Sequence, residues 1–298
     1  MISLRATVAK TAITAVVYSP VFASNLETRT EAPFRRHHRD HEITIGTELQ
    51  YFDYKESVPS KPSFKSEERG MVPGIAFTYR LAQRKSPFSL MAQLNYSGSS
   101  VLYDGGLQDG TPLVTQSGLS ITQVQLTTGY SLFKQSGHEL TLFAGIHSRT
   151  WVRQLDTLKK APGSGYDETY SRLAIPVGFQ WKYSLNDRFE VGLEPSIALP
   201  LSGFFELTYP GATTMEGKPA IFGNTLKSGT SFRVQAPVTY WIHPDYGLSL
   251  NLFFETLTFQ ESHIATLFYV RSWQTATISE PDSRTYHYGS QIRLHIRM

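Results

Sequence analysis

The last eleven residues of this 298-residue chain constrain its fold more than any other stretch. Between Tyr288 and Met298, Ile292, Leu294, Ile296 and Met298 alternate with Gln291, Arg293, His295 and Arg297. Successive side chains of a strand point to opposite faces, so this segment reads as a strand with one greasy and one wet face. Similar alternation recurs back to about residue 42. A closed barrel satisfies every backbone group of such strands within a bilayer, because it leaves no open edge. The expected fold class is therefore all-β, a transmembrane antiparallel up-and-down β-barrel.

The N-terminus supplies an address. Arg5 and Lys10 precede an apolar stretch from Thr11 to Ala23, and Val21 and Ala23 are the small residues before Ser24. This describes a secretory signal peptide, residues 1–23, cleaved after Ala23. The apolar run is about 13 residues and is broken by Pro20. A spanning helix needs about 20, and no later run reaches 18. Residues 24–41 are polar and lack periodicity, and are expected to form a flexible periplasmic segment; residues 42–298 are expected to form the barrel. Within the segment, His37, His38, His41 and Asp40 are donors that suit zinc, but Arg35, Arg36 and Arg39 disfavour a divalent cation. It reads as a solvated basic tail, and no metal or cofactor is expected.

Composition agrees with a barrel. Aromatic residues make up 13% of the chain, with 16 Tyr and 18 Phe, which suits the girdles at the two membrane interfaces. A mean hydropathy of −0.24 is compatible, since half of each strand faces a polar lumen. Cysteine is absent, which excludes thiol chemistry. Without Arg5 and Lys10, the 28 basic residues fall to 26 against 25 acidic ones, a net charge of +1 that implies no nucleic-acid partner.

Ten strands are expected, roughly at 42–54, 71–81, 88–103, 118–133, 138–152, 168–184, 187–202, 228–242, 247–262 and 284–298. Their connections alternate in length. Turns near 82–87, 134–137, 184–187 and 243–247 are short and rich in turn formers. Connections near 55–70, 104–117, 153–167, 203–227 and 263–283 are long. Short periplasmic turns alternating with five long external loops is the outer-membrane arrangement, with both termini on the periplasmic side. A hairpin within 203–227 would raise the strand count to twelve.

If apolar positions face lipid, strand phase turns Glu48, Arg80, His147, Arg149, Arg172, Lys182, Glu190, Glu194, Arg233, Glu255, Arg293 and His295 inward. Ten strands leave a narrow lumen, and charges within it must pair. The expected result is a structural plug, with a residual polar path for small solutes as the alternative. The fourth and fifth loops carry Phe204, Phe205, Tyr209 and Phe222, then Phe268, Tyr269 and Trp273. Phe205, Tyr209, Phe268, Tyr269 and Trp273 are the candidates for a contact surface; alternatively these segments are strands continuing as a rigid rim. The first loop mixes lysine, arginine and proline, as expected for contact with lipopolysaccharide phosphates.

Three resemblances add to this reading. Gly289-x-x-Ile292-x-Leu294, ending at Met298, resembles the C-terminal signal of bacterial outer-membrane barrels, with methionine in place of the usual phenylalanine. It implies recognition by the outer-membrane assembly machinery. Glu48 to Glu56, Lys65 to Gly70, Gly74 and Tyr79 resemble the opening of a poorly characterised family of bacterial outer-membrane barrels, which implies fold and location without a settled activity. Ten strands with five external loops are similar in architecture to the omptin proteases, which carry an Asp-Asp and an Asp-His pair. Here Asp104 and Asp109 stand five apart, and Glu206 and Glu216 occur where the second pair would be. Ser262 and His263 are adjacent on a strand and point to opposite faces, so they cannot bond each other. The sequence thus favours an outer-membrane barrel without enzymatic activity, with a pore as the alternative and an outer-membrane hydrolase as the further one. The expected partners are outer-membrane lipid and lipopolysaccharide.

Overall fold

The computed structural model describes residues 40–57, 66–83, 85–106, 111–155, 166–213, 219–261, 265–269, 274–278 and 281–298. The chain divides into Met1–Pro33 and Phe34–Met298. The first unit, and with it the expected signal peptide, lies outside the described residues, as do the rest of the His/Arg-rich tail to residue 39 and Trp273. The strands are β1 His41–Ser57, β2 Glu67–Ala82, β3 Phe88–Gly106, β4 Pro112–Gln135, β5 His138–Leu155, β6 Tyr166–Ser184 and β7 Phe189–Thr213. They continue with β8 Pro219–Thr225, β9 Lys227–Ser228, β10 Ser231–His243, β11 Tyr246–Gln260, β12 Ala265–Tyr269, β13 Gln274–Ile278 and β14 Asp282–Arg297.

Each of β1 to β7 pairs antiparallel with the next, β7 pairs with β10, β10 with β11, β11 with β14, and β14 with β1. This ring is a closed ten-stranded barrel. The closing ladder runs from Glu42 opposite Arg297 to Ser57 opposite Asp282. The β7–β10 ladder is interrupted at Ala236 and Pro237, where proline has no N–H to donate. The hairpin within 203–227 does form, as β7 and β8. However, β8 ends on β7 and does not enter the ring, so the strand count stays at ten. Among the described residues, β12 and β13 pair only with each other.

The short turns follow local chemistry. Ser136 and Gly137 both have positive φ, 52° and 82°, as a tight hairpin turn between twisted strands requires. In the β6–β7 turn, Asn186 Oδ1 accepts the backbone N–H groups of Arg188 and Phe189, each at 2.8 Å, a side chain standing in for a turn carbonyl.

Outward-facing Ile45, Leu49, Ile75, Phe77, Leu94, Leu126, Ile146, Leu250 and Ile292 are all exposed. An apolar belt of that extent is a lipid-facing surface rather than a soluble one. The strands overshoot it. β4 has 24 residues and β7 has 25, whereas crossing a bilayer takes about 9–11. Much of the expected long loops is therefore strand: β1 runs to Ser57, β5 to Leu155 and β7 to Thr213. The reason is an inversion of polarity without a change of phase. On β1, outward Ile45 and Leu49 give way to outward Asp53 and Lys55, while inward Thr44 and Glu48 give way to inward Phe52 and Tyr54. Phe205 is corrected by the same inversion: it is buried inside the barrel and is no exposed loop residue, because its parity on β7 is inward. Its neighbour Phe204 faces out.

Candidate functional site

The barrel interior is built in three levels, beginning at the end with the short turns. At that mouth, Arg297 Nε donates to Glu42 Oε2 at 2.9 Å and His295 Nδ1 lies 3.0 Å from Glu42 Oε1. The Arg297 guanidinium lies 3.4 Å over the ring of buried Trp241. Arg80 and Lys134 approach Glu139 at 3.6 and 3.5 Å.

Further in, amides and charges form a continuous network. Glu194 accepts Gln180 Nε2 at 2.8 Å and Gln235 Nε2 at 3.1 Å. Asn251 Nδ2 donates to Gln235 and to Gln291, both at 2.9 Å. Gln291 in turn donates to Glu48 and accepts from Arg293. Above them Arg149 Nη2 meets Glu255 Oε2 at 2.6 Å, and Arg233 Nη1 reaches the same oxygen at 3.3 Å. Arg172 donates to Ser231 Oγ and to the carbonyls of Ala198 and Gly229, each at 2.9 Å. His287 and Gln50 lie 3.0 Å apart, and Gln50 donates to Ser97 Oγ at 2.8 Å.

The third level, toward the long connections, is apolar. Phe52, Leu119, Trp151, Tyr170, Phe205, Leu257 and Phe259 belong to one buried cluster drawn from β1, β4, β5, β6, β7 and β11. The Trp151 and Tyr170 rings stack with centroids 4.6 Å apart, and Phe259 meets Trp151 edge-on at 5.2 Å. Roofing this core is a buried ion cluster. Arg153 Nη1 contacts Glu168 Oε2 at 2.6 Å and Glu56 Oε1 at 3.1 Å, while its Nε lies 3.1 Å from Glu68 Oε2. Tyr170 and Tyr54 donate to Glu168 and Glu56 at 3.2 and 2.9 Å. The outward residues of this row include Asp53, Arg69, Gln154 and Asp167, so it stands beyond the lipid-facing belt. Three carboxylates around one guanidinium leave excess negative charge. Burial, opposed by Arg153 and reinforced by Glu56 and Glu68, lifts the Glu168 carboxyl to about 7.

Of the residues singled out by phase, Glu48, His147, Arg149, Arg172 and Glu255 are buried inside the barrel. Arg80, Lys182, Glu190, Glu194, Arg233, Arg293 and His295 are half-buried and line interior cavities. The side chains of Tyr209, Phe268 and Tyr269 lie outside the described residues. Gly289 lies on β14 against the backbone of Leu49 and Gln50, and Ile292, Leu294 and Met298 face outward. Asp104 stands on β3 and Glu206 on β7, and the strand register pairs neither with the other. Asp109, Glu216, Ser262 and His263 lie outside the described residues.

Sequence reasoning missed Arg153, Glu56 and Glu68, which it left in loops, and Glu168, which it placed at the very start of a strand without an inward role. The available signal was parity: Arg149, Trp151 and Arg153 occupy alternate positions of one strand. Among the described residues no group of His, Cys, Asp or Glu is arranged to hold a metal, and no helix is long and apolar enough to cross a membrane.

No protein-family model matches this sequence, and no curated protein does. Solved structures do. The outer membrane protease OmpT from Escherichia coli aligns with a TM-score of 0.59 at 11% identity, over 86% of this chain and 97% of that one. A major outer membrane protein from Thermus thermophilus gives 0.40 at 10% identity, over 83% and 98%. The toluene transporter TbuX from Ralstonia pickettii gives 0.39 at 12%, over 88% and 90%. At such identity the likeness to OmpT shows the fold alone, a closed β-barrel of the bacterial outer-membrane type.

Proposed function

We propose that this protein is an outer-membrane barrel without enzymatic activity, closed to flow, whose long external connections serve surface contact or binding. The apolar level carries the reading. Side chains from six strands around the ring meet at the barrel axis, and a buried aromatic core gives water and ions no hydrated path. The charged network below it then acts as a plug tied together by the Arg149–Glu255–Arg233 and Glu48–Gln291–Asn251 contacts. In this reading the wall beyond the lipid belt is a rigid rim that holds the connections, with outward Lys55, Arg69 and Arg284 at the height of lipopolysaccharide phosphates. Export follows cleavage after Ala23, so sequencing the purified protein should begin at Ser24. Ile292, Leu294 and Met298 are the outward face read by the assembly machinery.

OmpT is a protease by its name, and that activity is not carried over. The acids Asp104 and Glu206 lie on strands separated by three others in the ring, unlike two members of one dyad. The test is electrical: folded protein, verified by a heat-sensitive compact gel band, is recorded in a planar lipid bilayer. Silence is expected, and discrete current steps would overturn the closed lumen.

A further inference from the structure

The mouth at the short turns opens into a cavity of about 360 Å³ whose walls include Glu42, Arg80, Glu139, Lys182, Glu190 and Arg297. It does not end there. Glu42, Arg80, Lys182, Glu190 and Arg297 also line a second cavity of about 90 Å³, whose deeper walls are hydroxyls and amides such as Thr44, Thr78, Gln93, Gln180 and Asn251. A last space of about 20 Å³ lies beside His147 and Arg233, and beyond it the aromatic core closes the barrel. Among the described residues the interior is thus a polar funnel that opens at the end facing the periplasm in this class of barrel and narrows toward the aromatic core.

The charges of the funnel are unequally used. Arg297 is held by Glu42 and seated on Trp241. Arg80 reaches Glu139 only at 3.6 Å. Lys182 feels Glu42, Glu139, Glu190 and Arg80 electrostatically, yet its ammonium makes no ion pair or hydrogen bond with any described residue. An ammonium without an ion pair among the described residues, beside a guanidinium that Glu139 holds only at 3.6 Å, is a seat for an anionic group. The acids Glu42, Glu139 and Glu190 beside them would repel a dianion, and they suit a cationic group on the same ligand.

We infer that this funnel binds a small zwitterion, an amino acid or short peptide, whose free carboxylate sits between Arg80 and Lys182 while its ammonium faces the neighbouring glutamates. The volume agrees, since ligand sites begin near about 300 Å³. Specificity for the charged end follows because an amide in place of the carboxylate would leave both cations facing a neutral group.

Isothermal titration of the full-length protein, folded in a neutral detergent, tests this with four probes: L-alanine, L-alanyl-L-alanine, its C-terminal amide and inorganic phosphate. Saturable binding of alanine or the dipeptide is expected in the millimolar range or tighter; the stronger of the two identifies the source as a free amino acid or a peptide end. The amide should bind at least about tenfold more weakly, and Lys182→Met and Arg80→Gln should each lose about as much. Because these variants change the mouth and leave the core intact, their compact gel band should be retained; a variant that lost it would be replaced by Lys182→Gln. No saturable binding of either zwitterion, equal binding of the amide, stronger binding of phosphate, or unchanged binding by folded Lys182 and Arg80 variants would each overturn the inference.

Discussion

Glu255 is the interior carboxylate whose loss should cost the fold most. Its Oε2 lies 2.6 Å from Arg149 and 3.3 Å from Arg233, and the Arg149 and Glu255 side chains are only 1% and 4% exposed. Opposite charges about 4 Å apart attract by about 4 kcal/mol at an effective dielectric constant of about 20, and breaking a buried pair costs about 3–5 kcal/mol. The three residues are not equivalent. Glu255→Gln leaves two guanidinium groups facing each other, so about 4–5 kcal/mol is expected. Arg149→Met leaves Glu255 with Arg233 as its partner, and about 3 kcal/mol is expected. Arg233 is 16% exposed and also contacts Gln235, so Arg233→Gln should cost about 1–2 kcal/mol. The Arg149→Met, Glu255→Gln double variant removes a repulsion along with an attraction and should be more stable than the sum of its singles by about 2 kcal/mol. Urea unfolding in detergent micelles, followed by tryptophan emission, measures all four. A loss below about 1 kcal/mol for Arg149→Met, or a larger loss for Arg233→Gln than for Glu255→Gln, would refute the reasoning.

Adjacent Phe204 and Phe205 test the polarity inversion. Phe205→Ala should destabilise by about 3 kcal/mol and Phe204→Ala by less than about 1 kcal/mol; equal effects in the same urea assay would contradict the inward parity of Phe205. Gly137→Ala forces a Cβ into a left-handed turn and should cost about 1 kcal/mol, read as a lower midpoint in that titration; an unchanged midpoint would argue against the φ of 82°. The Glu168 carboxyl is raised by burial to about 7, above its unfolded value of about 4.3. Its contribution to stability is therefore fully present below the unfolded value and is lost as pH rises through that window. Heating the gel-shift form at a series of pH values should show a flatter profile for Glu168→Gln than for the parent, and parallel profiles would exclude the effect.

Much of the fold was legible because a barrel strand in lipid obeys one rule that a sequence displays openly, apolar out and polar in. Ile45, Glu48 and Leu49, or Ile146, His147 and Arg149, reveal their faces without reference to any partner. Turns were equally local: Ser136-Gly137 and Asn186 carry the chemistry of their own bends. Parity also turned Arg149, Glu255 and Arg233 inward. It could not say that Arg149 joins the other two: Arg233 and Glu255 face each other on the β10–β11 hairpin, but Arg149 comes from β5 and reaches Glu255 only when the ring closes.

The sequence by itself determined the class of fold, the strand order and the face of most side chains within the lipid belt, because bilayer and pleat impose those residue by residue. Tertiary structure alone decided what fills the barrel beyond that belt. There, water surrounds the wall, so the outward positions become polar and the inward ones apolar, and a pattern sought as greasy-out ends at the membrane surface. Arg153 and Phe205 consequently looked like loop residues, while Trp151 and Tyr170, near the ends of expected strands, gave no sign of the core they join. Neighbouring strands lay Trp151, Tyr170 and Phe205 side by side, and closure of the ring brings Phe259 of β11 against them. Their function as a core depends on neighbours contributed across the barrel, and one strand read alone contains no record of what faces it.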